Sequence, residues 1–372
     1  MLTELSLQQF RAHAATRIPL GRLTVLVGPN GAGKSSALEA VWLLGRLVDE
    51  PAERVLSGRH ALRWLVRHGA GGDLKIHVSG VERGAPSEFW VTAPSGGDES
   101  TAKLDGLVES KPPSDEEDDM EAAWNLLHPR LPAVARVLRD VAVLRLDARR
   151  LSEPSYIKEE VPRLADDGYG LATVLSALKL ASTDRFNALE ESARLIVPGL
   201  RGLAFKRTRL EQQVSRALTV EGQKVVVQEK DVVIADELLI DFEDAKALPA
   251  HAASEGTLIV LGILAALHGG TAPRLLLLED IERALHPRAQ RDLVEGLRTA
   301  LAAAPDKQII ATSHSPYLVD ALQPDEVVVL ARERGGAVVA RRLSEHPKAK
   351  LLDVLTTGEF WAAEGEEWVT SA

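Results

Sequence analysis

The chain has 372 residues, 45% hydrophobic and 26% charged, enough to bury the core of one large or two ordinary domains. It contains no cysteine, which excludes disulfides, thiolate zinc sites and cysteine nucleophiles. A formal net charge of −10 argues against a chain-wide nucleic-acid coat and leaves room for a local basic groove.

The N-terminus, MLTELSLQQFRAH, lacks the basic lead and apolar run of a signal peptide. No stretch approaches the roughly 18 consecutive apolar residues of a membrane span. A cytoplasmic location and no membrane contact are expected. LTELSLQQF (2–10) and RLTVLVG (22–28) read as strands, with ATRIPL (15–20) a weaker one between them. KSSALEAVWLLGRL (34–47) has apolar residues at helical spacing. Strands follow at LKIHVSG (74–80) and EFWVTA (88–93). Residues 94–119 are poor in apolar residues and rich in Gly, Ser, Pro and acid, the composition of a solvated or disordered linker. The acidic run Asp115–Asp119 has the residue types of a metal site but reads as part of that linker.

A helix is expected over 121–139, a strand over 141–146 and two helices over 168–195. From 201 to 244, short alternating segments with turn signals read as antiparallel strands. After 254 the pattern runs helix, strand, helix, strand, helix, which indicates a parallel sheet.

Four segments carry chemistry. In VGPNGAGKSS (27–36), Gly28, Gly33, Lys34 and Ser35 satisfy G-x-x-x-x-G-K-[ST], between an apolar strand and a helix. Glycines let the backbone amides of Gly28, Pro29, Asn30, Gly31, Ala32, Gly33, Lys34, Ser35 and Ser36 curl around phosphate oxygens where an N–H is present, and the helix N-terminus adds its positive end. Lys34 is placed to reach the β- and γ-phosphates, and Ser35 to ligate Mg²⁺. In RLLLLEDIERALHP (274–287), four leucines suit a central parallel strand, and Glu279 and Asp280 emerge at its carboxyl end. One acid there would hold the Mg²⁺ shell and the next would orient or deprotonate the attacking water. Ser254-Glu255-Gly256 opens an apolar helix and offers a second anion seat. One chain has no obvious use for two such seats, whereas a dimer of two chains does. Finally, in QIIATSHSPYLVDAL (308–322) a strand ends at His314, where it could meet the γ-phosphate or its water.

These pieces, in this order, resemble the ABC-type ATPase heads of the SMC, RecF and OLD (overcoming-lysogenization-defect) group. GPNGAGKSS resembles its Walker A. LQQFRAH resembles an early strand that puts Phe10 and Arg11 near the nucleotide. LPAHAASEGTL is similar to the signature, with Ser254 and Gly256 on the partner's triphosphate. LLLLEDIERALHP resembles the OLD-like Walker B, with Arg283–His286 at the D-loop, and ATSHSPYLVD the switch-histidine segment.

The resemblance implies an α/β fold: a P-loop NTPase of ABC-ATPase type, with a mixed sheet core, an antiparallel β-subdomain and a helical insertion. Residues 1–48 and 248–372 would form the nucleotide-binding core and 49–247 an inserted lobe. Glu279 would hold Mg²⁺, and Asp280 would take the catalytic carboxylate position, where most relatives have glutamate. Ile281 replaces the usual proline. Gln212, Gln213, Gln223 and Gln228 are all candidates for the Q-loop glutamine.

ATP and Mg²⁺ are the implied ligands, and a homodimer or higher homo-oligomer the implied assembly. The insertion has no long heptad run and no Cys-x-x-Cys hook, which disfavours a rod-like SMC or zinc-hook protein. The stretch after His314 is short for the Toprim nuclease domain of many OLD proteins, so a stand-alone head with a separate effector protein is expected. Two functions stay open: a DNA-linked ATPase of anti-phage defence or repair, and a nucleotide-dependent switch that restrains an effector with little turnover. The clusters Arg136, Arg139, Arg145, Arg149, Arg150 and Lys206, Arg207, Arg209 are candidate nucleic-acid contacts. Nearby Asp140, Asp147 and Glu153 dilute the first cluster.

Overall fold

The structure, a computed structural model, describes residues 1–69, 71–82, 85–94, 103–107, 133–220, 223–270 and 272–370. Its strands are β1 (Leu2–Phe10), β2 (His13–Pro19), β3 (Leu23–Val27), β4 (Leu74–Glu82), β5 (Ala85–Ala93), β6 (Lys103–Leu107), β7 (Val141–Leu144), β8 (Leu200–Val220), β9 (Gln223–Phe242), β10 (Leu248–Pro249), β11 (Leu275–Leu278), β12 (Gln308–Thr312), β13 (Val327–Arg332) and β14 (Val338–Arg342). The acidic run 115–119 and the first part of the helix expected over 121–139 lie outside the described residues; Ala133–Arg139 is helical. Within the stretch read as a linker, Lys103–Leu107 pairs with β5.

The chain forms two compact units: Met1–Val143 with Pro273–Glu282 and Leu297–Ala372, and Leu144–Ala272 with Arg283–Gly296. In the first, five strands form an antiparallel sheet in the order β2-β1-β4-β5-β6, and a mixed sheet runs β14-β13-β3-β12-β11-β7. β13, β3, β12 and β11 are mutually parallel, and β14 closes antiparallel on β13. Every residue of β3, β11 and β12 is buried, as expected of parallel strands covered on both faces. β1 alternates instead: Leu5 and Leu7 are in the core while Ser6 and Gln8 face outward. β4 and β5, expected in the inserted lobe, extend this same sheet.

A buried amide ties β1 to β12. Gln308 Oε1 accepts from the Leu2 amide at 2.9 Å, and its Nε2 donates to the carbonyls of Leu2 and Gly21 at 2.8 and 2.7 Å. The side chain is 2% exposed, so its polar groups must find protein partners, and they do.

In the second unit, helices Leu171–Ala181 and Thr183–Ile196 match the pair expected there, and Glu255–His268 is buried continuously from Thr257 to Leu267. β8 and β9 form one long antiparallel ladder, paired from Leu200↔Phe242 to Val220↔Gln223. Several short strands were expected there. One ladder stands in their place, and Gln228–Asp231 stays in register opposite Ser215–Gln212. A ladder needs only backbone groups, and polar residues break it only where the chain must reverse. Among the described residues no helix is long and apolar enough to cross a membrane.

Candidate functional site

β3 leads into the loop through Gly28, whose φ of 138° is open to glycine. A Cβ there would lie 2.2 Å from the Leu330 carbonyl oxygen, so the loop leaves the sheet in backbone contact with β13. Gly33 (φ 89°) caps helix Lys34–Leu47, and its Cβ would lie 2.6 Å from His13 Nε2. Pro29, Asn30, Gly31 and Ser35 are exposed, Gly33 and Ser36 are half-buried, and Ala32 is buried. No side chain caps the first helical amides, so they and the positive helix end face the loop.

Lys34 is 5% exposed, and its Nζ donates to the Gly28 carbonyl at 2.7 Å and the Pro29 carbonyl at 3.0 Å. Burial lowers its pKa, and the fields of Asp280, Glu282 and Glu366 work against that shift. The lysine and the acids after β11 therefore act on one another within one unit.

Beyond β11, Asp280 is left-handed, with φ 49°. Its amide donates to Thr312 Oγ1 at 2.9 Å, and the Thr312 hydroxyl returns to Asp280 Oδ1 at 3.3 Å. His314 Nε2 lies 3.9 Å from Asp280 Oδ1, and its amide donates to Glu282 Oε1 at 2.7 Å. Glu279 is half-buried where β11 ends. Ser35 and Glu279 offer a hydroxyl and a carboxylate, hard oxygen donors of the kind Mg²⁺ takes alongside phosphates and water. Among the described residues no group of three or more His, Asp or Glu could cage a metal by itself, and a nucleotide-borne Mg²⁺ needs none.

Arg11 is positioned differently from the other candidates. It also has a positive φ (50°), and its guanidinium pairs with Glu39 of helix Lys34–Leu47 at 2.7 Å, an oxygen it shares with His60 Nδ1 at 3.0 Å. Phe10 is wholly buried in the core.

Ser254 and Gly256 belong to the second unit. Ser254 is an exposed N-cap whose hydroxyl accepts from the Thr257 amide at 3.2 Å and lies 2.9 Å from Thr257 Oγ1. Gly256 meets the chain after the acids: a Cβ would lie 2.6 Å from the carbonyl oxygen of Ala284, itself left-handed at φ 59°. Beside them is a cleft of about 180 Å³ lined by Asp147, Arg149, Glu255, Ile259 and Arg283. Of the basic clusters, Arg139 pairs with Asp49, Arg150 with Asp167 and Glu153, and Lys206 weakly with Glu237. Thr312, Glu282 and His13 were not singled out from the sequence. All three stand inside the motif segments, His13 two residues after Arg11.

The family described as "AAA domain, putative AbiEii toxin, Type IV TA system" matches residues 23–320. The chain belongs to that family. An OLD nuclease of Thermus scotoductus is 26% identical over 385 aligned residues, covering 95% of this chain and 66% of that protein. This AAA-family chain thus spans just under two thirds of that relative's length.

Among solved structures it is similar to an SMC head bound to the C-winged helix domain of ScpA (TM-score 0.58, 11% identity, 94% of this chain and 99% of that one). It is also similar to the SMC head domain of Thermotoga maritima (TM-score 0.52, 12% identity, 92% and 98%). The fold is thus that of an SMC head, the ABC-type ATPase fold that the motifs implied.

Proposed function

We propose that the chain binds ATP with Mg²⁺, hydrolyses it to ADP and phosphate, and closes on a second copy while ATP is bound. One observation carries this reading: the buried Lys34 closes the glycine loop on the Gly28 and Pro29 carbonyls, and Thr312 holds Asp280 3.9 Å from His314. The loop amides and Lys34 take the triphosphate. Water adds to the γ-phosphorus, the bond to the bridging oxygen breaks, and Asp280 orients the water or accepts its proton. His314 steadies the γ-phosphoryl group. Ser35 and Glu279 hold Mg²⁺, which when bound offsets phosphate charge.

Ser254 is exposed at a helix N-terminus, and from there it would cap the triphosphate of the second copy. Relatives named for nuclease and toxin–antitoxin roles, and SMC heads solved with ScpA, support a DNA-linked process in anti-phage defence or repair with a separate effector protein.

A second reading is a switch that restrains an effector with little turnover. Asp280 favours it, since aspartate is one methylene shorter than the glutamate of most relatives. The test is ATP affinity and steady-state phosphate release, with and without DNA, in wild type, Lys34→Ala and Asp280→Ala. DNA-stimulated release lost in both variants supports the first reading. Release near background, unmoved by DNA, with tight ATP binding supports the second.

A further inference from the structure

The regular pairing of β11 with β12 ends at Leu278↔Ala311. Beyond it four further hydrogen bonds sew the two strand ends together. The amides of Asp280 and Ile281 donate to Thr312, to its hydroxyl at 2.9 Å and its carbonyl at 3.2 Å. The Thr312 hydroxyl donates back to Asp280 Oδ1, and the His314 amide donates to Glu282 Oε1.

Thr312 is wholly buried, so its hydroxyl has no competing water. Asp280 sits in the left-handed region, uncommon for a residue with a side chain and eased for aspartate by hydrogen bonds of the kind its amide and Oδ1 make with Thr312. Glu282 Oε2 is also buried and has no hydrogen-bond partner among the described residues. Half-satisfied, the carboxylate is an unfavourable choice for stability alone. What it gains is a fixed backbone at His314.

We infer that Thr312 and Glu282 are positioning residues for hydrolysis, Thr312 holding Asp280 in its turn and Glu282 fixing His314 opposite it. The two strand ends then move as one piece, and the Asp280–His314 gap is set by Thr312 and Glu282 through the backbone. This rests on the reading of Asp280 and His314 given above.

Thr312→Val keeps the shape and removes the hydroxyl, and Thr312→Ser restores it. Glu282→Ala removes the acceptor, and Glu282→Gln restores one. Phosphate release, ATP affinity by calorimetry and thermal unfolding are measured for all four and for wild type. The expected result is a kcat about 10- to 100-fold lower in Thr312→Val and Glu282→Ala, the scale of a small misplacement of reacting groups. Affinity and KM should stay within about twofold, and Thr312→Ser and Glu282→Gln should recover most of the lost kcat. A merely structural role would lower affinity and melting temperature together and show no rescue. That outcome, or wild-type kcat in Thr312→Val and Glu282→Ala, overturns the inference alone. If wild type binds ATP and releases no phosphate, the enzymatic reading fails and the inference falls with it.

Discussion

His13 stands directly behind Gly33. Its Nε2 lies 3.1 Å from the Gly33 carbonyl oxygen, and its Nδ1 lies 3.0 Å from Thr16 Oγ1, which donates to the Val338 carbonyl at 2.5 Å. The ring wedges the last glycine of the glycine loop against β2 and β14.

Gly33→Ala therefore combines a left-handed φ with a clash on that ring. It should cost about 1–3 kcal/mol and abolish measurable ATP binding. Calorimetric affinity and denaturant unfolding check it; an alanine variant that binds ATP normally would show that the wedge has slack.

Burial, partly offset by the Gly33 contact, lowers the His13 pKa from 6.5 to about 4. The unfolded chain takes up this proton as pH falls through 6.5, while the folded chain resists until about 4. Stability from this group is thus complete above about pH 6.5 and lost toward pH 4, by roughly 3 kcal/mol at most. His60 and His346 are lowered in the same direction, each chiefly by burial, so their slopes add. Unfolding curves between pH 7 and 4 for wild type and His13→Gln should differ by the His13 share.

Asp280→Ala should cut phosphate release by about 10²- to 10⁴-fold with ATP affinity preserved, the usual worth of a positioned acid or base. Lys34→Ala should lose affinity itself. If the shortness of aspartate limits turnover, Asp280→Glu should raise kcat; a fall would show that the left-handed turn is built for the shorter acid.

Ser254→Arg places a long cation at an exposed N-cap. It should leave ATP affinity of the single subunit nearly intact while ending hydrolysis and ATP-dependent dimerisation. Particle mass with and without ATP, beside turnover, decides this, and normal turnover in the variant would remove Ser254 from the reaction.

Gln308→Leu would strip partners from one buried amide and two carbonyls, and should destabilise the first unit by about 2–4 kcal/mol. The denaturant midpoint should fall with an unchanged slope.

The parts of the site that depend on local geometry were readable in the residues. A glycine loop between an apolar strand and a helix, acids after four leucines and a serine before an apolar helix each follow from turn, burial and capping rules. The parts that depend on distant neighbours were not. Nothing near Gln308 says that it will meet Leu2, and nothing near Thr312 says that it will support a backbone turn at Asp280. The β8–β9 ladder was legible as antiparallel but not as a single pair, because turn signals recur along that stretch. Arg11 matched a motif, and its pairing with Glu39 is a tertiary fact.

The strand that leads into the glycine loop, β3, lies between β12 and β13. Both neighbours are made only after most of the chain has left the ribosome. Until Thr312 is made, then, this apolar strand has neither neighbour. Translation must pass Arg332 before that strand has both its neighbours, so a chain released earlier would leave an apolar strand edge open.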